Sequence, residues 1–172
     1  MILETERLYL RELNLGDFEA LSRILMDEET MYAYNGAFSP EETQEWLDRQ
    51  LERYKRYGFG LWAAVLKEND EMIGQCGITM QPWKDKELLE IGYLFRRDCW
   101  HKGFATEAAI ACKKYAFTKL GADKVHSIIR DTNIPSQNVA KRNGMTITDS
   151  WVKHYRGVDM PHYLFTVENN LK

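Results

Sequence analysis

Basic excess, long apolar runs and paired cysteines are all missing from this 172-residue sequence. Its 23 lysines and arginines fall short of its 26 aspartates and glutamates, leaving a formal charge of −3. The chain is therefore not expected to bind nucleic acid through its charge. No apolar stretch approaches the ~18 residues of a membrane span. The opening Met1-Ile2-Leu3-Glu4-Thr5-Glu6-Arg7 carries acids where a secretion signal has a basic and then an apolar stretch. A cytoplasmic protein without membrane attachment is the expectation. The three cysteines (Cys76, Cys99 and Cys112) are far apart and form no CxxC, so they are expected to be free thiols. The four histidines show no HExxH spacing, and no metal site is expected. GxxxxGK[ST] and GxGxxG are both absent, which leaves a P-loop and a dinucleotide fold unsupported. Internal repeats, low-complexity segments and Pro/Gly/Ser-rich linkers are absent too, so one domain over residues 1–172 is expected.

What is present is a globular composition, 44% hydrophobic and 12% aromatic, which excludes a disordered chain. Residues 7–13 alternate apolar and polar side chains, the period of a half-buried strand. Phe18, Leu21, Ile24 and Leu25 follow at helical spacing after the capping residues Asn14 and Asp17. Residues 31–38 read as a loop. Ser39-Pro40-Glu41-Glu42 opens a helix that runs to about Tyr57 and stops at Gly58. Strands are expected at 59–66, 71–80 and 87–96, a helix at 104–120, and a strand at 124–130. A short helix at 135–142 and strands at 145–152 and 160–168 complete the set. The expected class is mixed α/β: a central, mostly antiparallel twisted sheet of about seven strands flanked by about four helices.

The chemistry concentrates where the strand ending at Leu94-Phe95-Arg96 runs through Trp100-His101-Lys102-Gly103-Phe104-Ala105-Thr106 into a helix. A helix start leaves backbone N–H groups without partners and is electropositive, a combination that suits a phosphate. Gly103 lets an anion approach the backbone, Ala105 is small, and Lys102 adds positive charge. Ala105, Ala108, Ala109, Cys112, Tyr115 and Ala116 lie on one helix face and permit close packing on a sheet. A plain strand–turn–helix with a glycine is the competing reading. A second segment runs from Arg130 to Met145. There Asn133 ends a strand and can offer both a donor and an acceptor to an amide-containing ligand. Ser136 follows in the first turn of a helix, and both residues also suit plain helix capping.

These segments, in this order, resemble the GNAT N-acetyltransferase superfamily. Trp100-His101-Lys102-Gly103-Phe104-Ala105 is in frame with that family's Q/R-x-x-G-x-G/A pyrophosphate motif, with Trp100 in place of the usual Gln or Arg. Leu3-Glu4-Thr5-Glu6-Arg7-Leu8-Tyr9-Leu10-Arg11, the Phe104-Ala105-Thr106-Glu107-Ala108 run, and Asn133-x-x-Ser136 with Lys141 and Gly144 look like the RimJ/RimL branch, named for ribosomal-protein N-terminal acetyltransferases. The resemblance covers residues 3–167 and implies acetyl-coenzyme A as co-substrate, with no metal. It implies that backbone N–H groups of His101, Lys102, Gly103, Phe104, Ala105 and Thr106 meet the pyrophosphate. The pantetheine would run along Leu94, Phe95 and Arg96 and bond to Asn133. Many members carry a tyrosine general acid four residues before the glycine matching Gly144. Ala140 stands there instead, so Ser136, as the branch suggests, or water would protonate the leaving thiolate.

The acceptor amine must attack as a free base, and a nearby carboxylate can take its proton. Glu90, among the apolar residues of the strand at 87–96, is the candidate, since burial would raise its pKa. A strand Glu facing solvent or paired with an Arg is the bland alternative. A backbone N–H near Phe95 could polarise the thioester carbonyl. Tyr32, Tyr34, Phe38, Trp83, Trp151, Tyr155 and Tyr163 are groove candidates on the acceptor side, or simply core. Glu41, Glu42 and Glu45 suit the helix dipole better than an amine site. The expected function is acetyl transfer to a protein N-terminus or a small amine, by a monomer or homodimer. An acyl-CoA-binding module without turnover is the alternative, favoured by Ala140.

Overall fold

The computed structural model describes residues 1–171. Its elements run β1 (Leu3–Glu4), β2 (Leu8–Arg11), α1 (Phe18–Leu25), α2 (Pro40–Tyr57), β3 (Leu61–Leu66), β4 (Met72–Trp83) and β5 (Lys86–Phe95). Then come α3 (Phe104–Thr118), β6 (Lys124–Arg130), α4 (Ile134–Arg142), β7 (Thr146–Tyr155) and β8 (Val158–Glu168). All eight strands form one sheet in the order β1-β2-β3-β4-β5-β6-β8-β7. Every neighbouring pair is antiparallel except β5 and β6.

Local signals in the sequence account for most of these elements. Ser39 caps α2 in a reciprocal capping box with Glu42, Pro40 opens its first turn, and Gly58 closes it at φ 78°. That conformation is open to glycine and strained for other residues. In β2, Leu8 and Leu10 point inward while Tyr9 and Arg11 stay partly exposed. β3 carries no alternation because both of its faces are covered. Trp62 and Ala64 pack into the core beneath α3, whereas Leu61, Ala63 and Val65 join the core beneath α1 and α2. Ala108, Ala109, Cys112 and Ala116 are fully buried on the inner face of α3, as their stripe of small side chains requires.

Seven of the eight strands and all four helices match the expected set, with shifted ends. The eighth is β1, only two residues long and defined by its pairing with Leu10 and Tyr9. A strand that short carries no periodicity to read. β4 runs past residue 80 to Trp83, with Pro82 at its end, where a missing N–H costs little. α3 stops at Thr118 rather than near 120, and residues 31–38 contain a short 3-10 turn over Tyr32–Tyr34.

The sheet comes apart in one place, and that place makes the site. β4 and β5 pair in register from Gly74↔Phe95 to Trp83↔Lys86, but β5 and β6 meet in register only at Glu90↔His126. Beyond that point the two strands diverge. Backbone groups left without a ladder partner must be satisfied otherwise, and two side chains do this. Ser127 Oγ donates to the Ile91 carbonyl at 2.8 Å, and Glu90 Oε2 accepts from the Ile128 N–H at 2.7 Å.

Candidate active site

A cavity of about 1030 Å³ opens in the splay between β5 and β6. Glu90 to Phe95 form one wall and Ser127 to Arg130 the other. The start of α3 borders it, as do the first turn of α4, residues of α2 and the β7–β8 hairpin. The cavity is therefore continuous from the helix start flagged in the sequence to Glu90.

Consider first the end at α3. Gly103 caps the helix in the left-handed region at φ 81°, and His101 is left-handed as well at φ 62°. The N–H of Glu107 takes the Gly103 carbonyl at 3.0 Å. The N–H groups of Phe104, Ala105 and Thr106 precede that first intrahelical bond and stay open, a geometry suited to an anion. Gly103, Phe104, Ala105, Thr106 and His101 all border the cavity. The loop is braced from two sides. Trp100 donates its indole N–H to the Phe95 carbonyl at 2.8 Å, tying the loop to the end of β5. Arg7 donates to the Lys102 carbonyl at 2.9 Å and to Glu107 Oε1 at 3.0 Å, and its guanidinium covers the Phe104 ring at 4.2 Å. Trp100 thus does bracing work at the position where Gln or Arg is usual. These open N–H groups and the unfilled strand gap fit a pyrophosphate followed by an extended amide-bearing arm.

Two residues expected at this end do not reach the cavity. Arg96 is turned away to Glu71 at 2.7 Å and Asp98 at 2.6 Å. Lys102 contributes its carbonyl to Arg7, and its side chain is not part of the cavity wall. Leu94 and Phe95 do line it.

At α4, Asn133 does cap the helix, its Oδ1 accepting from the Ser136 N–H at 3.3 Å. Its Nδ2 has no partner among the described residues, so capping and ligand binding are compatible. Ser136 Oγ is also unengaged among the described residues and borders the cavity. The Tyr93 hydroxyl donates to the Ser136 carbonyl at 2.7 Å and fastens α4 to β5 across the splay. Ala140 is 1% exposed and belongs to the core.

Glu90 dominates the opposite end. Burial pushes its carboxyl up to about 7, against the lowering effects of the Ile128 N–H, Lys153 and Arg53. Tyr34 is held well above the ordinary phenol value, first by burial and then by the charge of Glu90. Its ring packs edge-on against Trp46 at 5.8 Å and Tyr155 at 6.2 Å. Of the aromatic candidates, Tyr32, Tyr34 and Tyr155 line the cavity. Phe38, Trp83, Trp151 and Tyr163 do not. Phe38 is buried against Trp46, and Trp83 packs on Trp151 at 5.5 Å while donating to Asp149 at 2.9 Å. Tyr163 packs against the core beneath α3. Glu41, Glu42 and Glu45 also lie outside the cavity wall, and Glu42 serves the α2 cap and pairs with Arg156. Five cations that were not among the expected residues do line it: Arg49, Arg53, Arg130, Arg142 and Lys153. The readable sign was in α2, where half-buried Arg53 follows buried Trp46 and Gln50 at helical spacing, with exposed Arg49 at the edge of that face.

All three cysteines are free and buried. Among the described residues, no group of three or more His, Cys, Asp or Glu side chains could hold a metal ion, and no helix is long and apolar enough to cross a membrane.

Comparison with known proteins agrees with this geometry. A family model described as "Acetyltransferase (GNAT) domain" matches residues 7–146. The protein YkkB of Bacillus subtilis is 37% identical over 144 residues, covering 83% of this chain and 84% of that protein. A crystal structure of an acetyltransferase from Agrobacterium tumefaciens superposes with a TM-score of 0.80 at 29% identity, covering 97% of this chain and 94% of the other. RimL, a ribosomal L7/L12 alpha-N-protein acetyltransferase solved in complex with coenzyme A, shares the fold with a TM-score of 0.77 at 17% identity, over 99% of both chains.

Proposed function

This chain belongs to the GNAT acetyltransferase family, whose members move an acyl group from acetyl-CoA, and from that premise we propose that it acetylates a primary amine by direct attack within a ternary complex. The observation that carries the reading is Glu90: a carboxylate with a raised pKa, in the same cavity as the open helix start of α3. The residues proposed to hold the donor are His101, Gly103, Phe104, Ala105 and Thr106 through backbone N–H groups, Leu94 and Phe95 along the strand edge, and Asn133 through Nδ2. Arg96 and Lys102 contribute backbone at most, given where their side chains point.

Acetyl-CoA supplies the thioester when bound. Glu90 takes the proton from the incoming ammonium group, directly or through water. A carboxyl near pH 7 is half ionised at neutrality, which matches an α-amine at ~7.7–8.0 better than a lysine side chain at ~10.4. An N-terminal α-amine or a small amine of similar basicity is therefore the favoured acceptor class. Ser136 Oγ is the proposed proton donor to the departing sulfur, whose thiol pKa of ~8.5 makes strong acid help unnecessary. Holding both partners in one cavity supplies much of the rate. The reading takes residues 1–172 as one cytoplasmic domain of RimJ/RimL type, acting as a monomer or homodimer. A binding module without turnover is the weaker alternative, because Glu90 serves no purpose in donor binding.

Calorimetric titration with acetyl-CoA, followed by a screen of primary amines for thiol release, tests the proposal. Saturable binding with amine-dependent thiol release is the expected result. Binding without release from any amine supports the module, and no binding by the folded protein overturns both.

A further inference from the structure

The proposed function leaves the cations near Glu90 unused. Arg49 and Arg53 are four residues apart on α2, and Lys153 projects from β7; all three border the cavity. They border the same stretch of cavity wall as Glu90 and Tyr34, and Arg53 and Lys153 act on Glu90 while Arg49 and Arg53 act on Tyr34. None of the three has an ion-pair partner among the described residues. Arg53 donates only to the Gln50 side-chain oxygen at 3.2 Å, and Lys153 sits 5.7 Å from the centre of the Trp151 ring. Two arginines four apart on one helix repel each other, and burial penalises Arg53 and Lys153 further. Among the described residues the cavity wall holds only two carboxylates, Glu90 and Glu29, and Glu29 is taken by Arg97 at 2.8 Å. This local positive charge runs against a chain whose formal charge is −3.

The phosphates of the donor do not account for these cations. Glu90 lies five residues from Phe95 along β5, about 17 Å of extended chain, and the open N–H groups of α3 lie beyond that strand end. We infer that Arg49, Arg53 and Lys153 form an anion subsite for the acceptor, so that the amine acetylated beside Glu90 belongs to a molecule that also carries a carboxylate or phosphate. This rests on the acetyltransferase reading and narrows its acceptor: the amine lies at Glu90 and the anion at the three cations. A free amino acid or phosphorylated amine would meet the requirement, as would a peptide N-terminus with an acidic residue beside it.

Matched acceptor pairs at saturating acetyl-CoA test the inference. β-Alanine against propylamine and phosphoethanolamine against ethanolamine represent small molecules. Peptides beginning Ser-Glu against Ser-Gln represent protein N-termini. In whichever arm turns over, the anionic member should be preferred at least tenfold in kcat/KM, through KM. Arg53→Gln and Lys153→Gln, each checked for an unchanged thermal melt, should cut that preference to threefold or less, whatever common change in turnover the loss of a cation beside Glu90 brings to both members of a pair. Equal use of neutral and anionic amines overturns the subsite but leaves acetyl transfer standing. A preference unchanged in both variants overturns it too, since the anion is then read elsewhere. Acetyl-CoA binding with no turnover of any amine overturns the acetyltransferase reading and the subsite together.

Discussion

Glu90 carries two opposed requirements. Burial pushes its carboxyl up to about 7, yet in the proposed role of base it must be ionised to accept a proton. The pH profile of kcat/KM should therefore rise through an apparent pKa of about 7. Glu90→Gln should abolish that limb and lower kcat by ~10²-fold or more, with acetyl-CoA affinity unchanged. The same residue affects stability. The folded value lies above the ordinary 4.5, so its contribution to stability is fully present below about pH 4.5 and lost as pH rises through about 7. Above pH 7 an uncharged amide, which still accepts from the Ile128 N–H, is relieved of that cost. Glu90→Gln should then melt a few degrees higher than the natural protein at pH 8, and no higher at pH 4. Thermal melts at the two values check this. A shared melting point at pH 8 would mean that the carboxyl is not buried as described.

At the scale of elements, the helix starts do the positioning. α3 begins at a left-handed glycine clamped by Trp100 and Arg7, and α4 begins at Asn133 and is fastened to β5 by Tyr93. Asn133 uses only one of its two polar side-chain atoms for structure: Oδ1 caps the helix, and Nδ2 is left to donate to the proposed ligand. Asn133→Asp keeps a capping oxygen and removes the donor. Its thermal stability should match that of the natural protein while acetyl-CoA binds several-fold more weakly. Asn133→Ala should lose both, with ~1 kcal/mol of stability gone with the cap. Calorimetry and melting of the two variants separate the roles. If Asn133→Asp binds acetyl-CoA normally, Asn133 is a cap and nothing more.

The whole molecule depends on one sheet that is tightly paired on one side and open in the middle. Close approach on the β3–β4 side keeps the wall of the cavity rigid. At Gly77, where Ile78 donates to the Gly60 carbonyl at 3.1 Å, an added Cβ would lie 2.1 Å from that same carbonyl oxygen. Backbone on both sides leaves nothing flexible to yield. Gly77→Ala should cost ~3 kcal/mol and lower the melting temperature by about 6–12 °C, which a thermal melt reads directly. A neutral outcome would show that the two strands can separate freely there.

Much of this protein was determined by its sequence alone. The Ser39 capping box, the Gly58 stop, the glycine turn at residue 103 and the small-residue face of α3 are local codes. Each fixes its element from residues within a turn or two, so the elements around the proposed donor site were legible, and Leu94, Phe95, Gly103, Asn133 and Ser136 were placed on the wall of one cavity. Glu90 was legible as a carboxylate among apolar neighbours, though not its bond to Ile128. The rest was decided by tertiary contact. β1 exists only as a partner of β2, and the aromatic candidates divide between cavity wall and core according to which face of the sheet each residue meets. Arg96 was drawn off by Glu71 and Asp98. Arg49, Arg53 and Lys153 come from two elements about a hundred residues apart in sequence. They meet only because β5 and β6 part beyond Glu90, and α2 and the β7–β8 hairpin border the space that opens. Short-range codes specify where elements start and stop, whereas a cavity is set by which elements pack together, and that depends on the whole sheet.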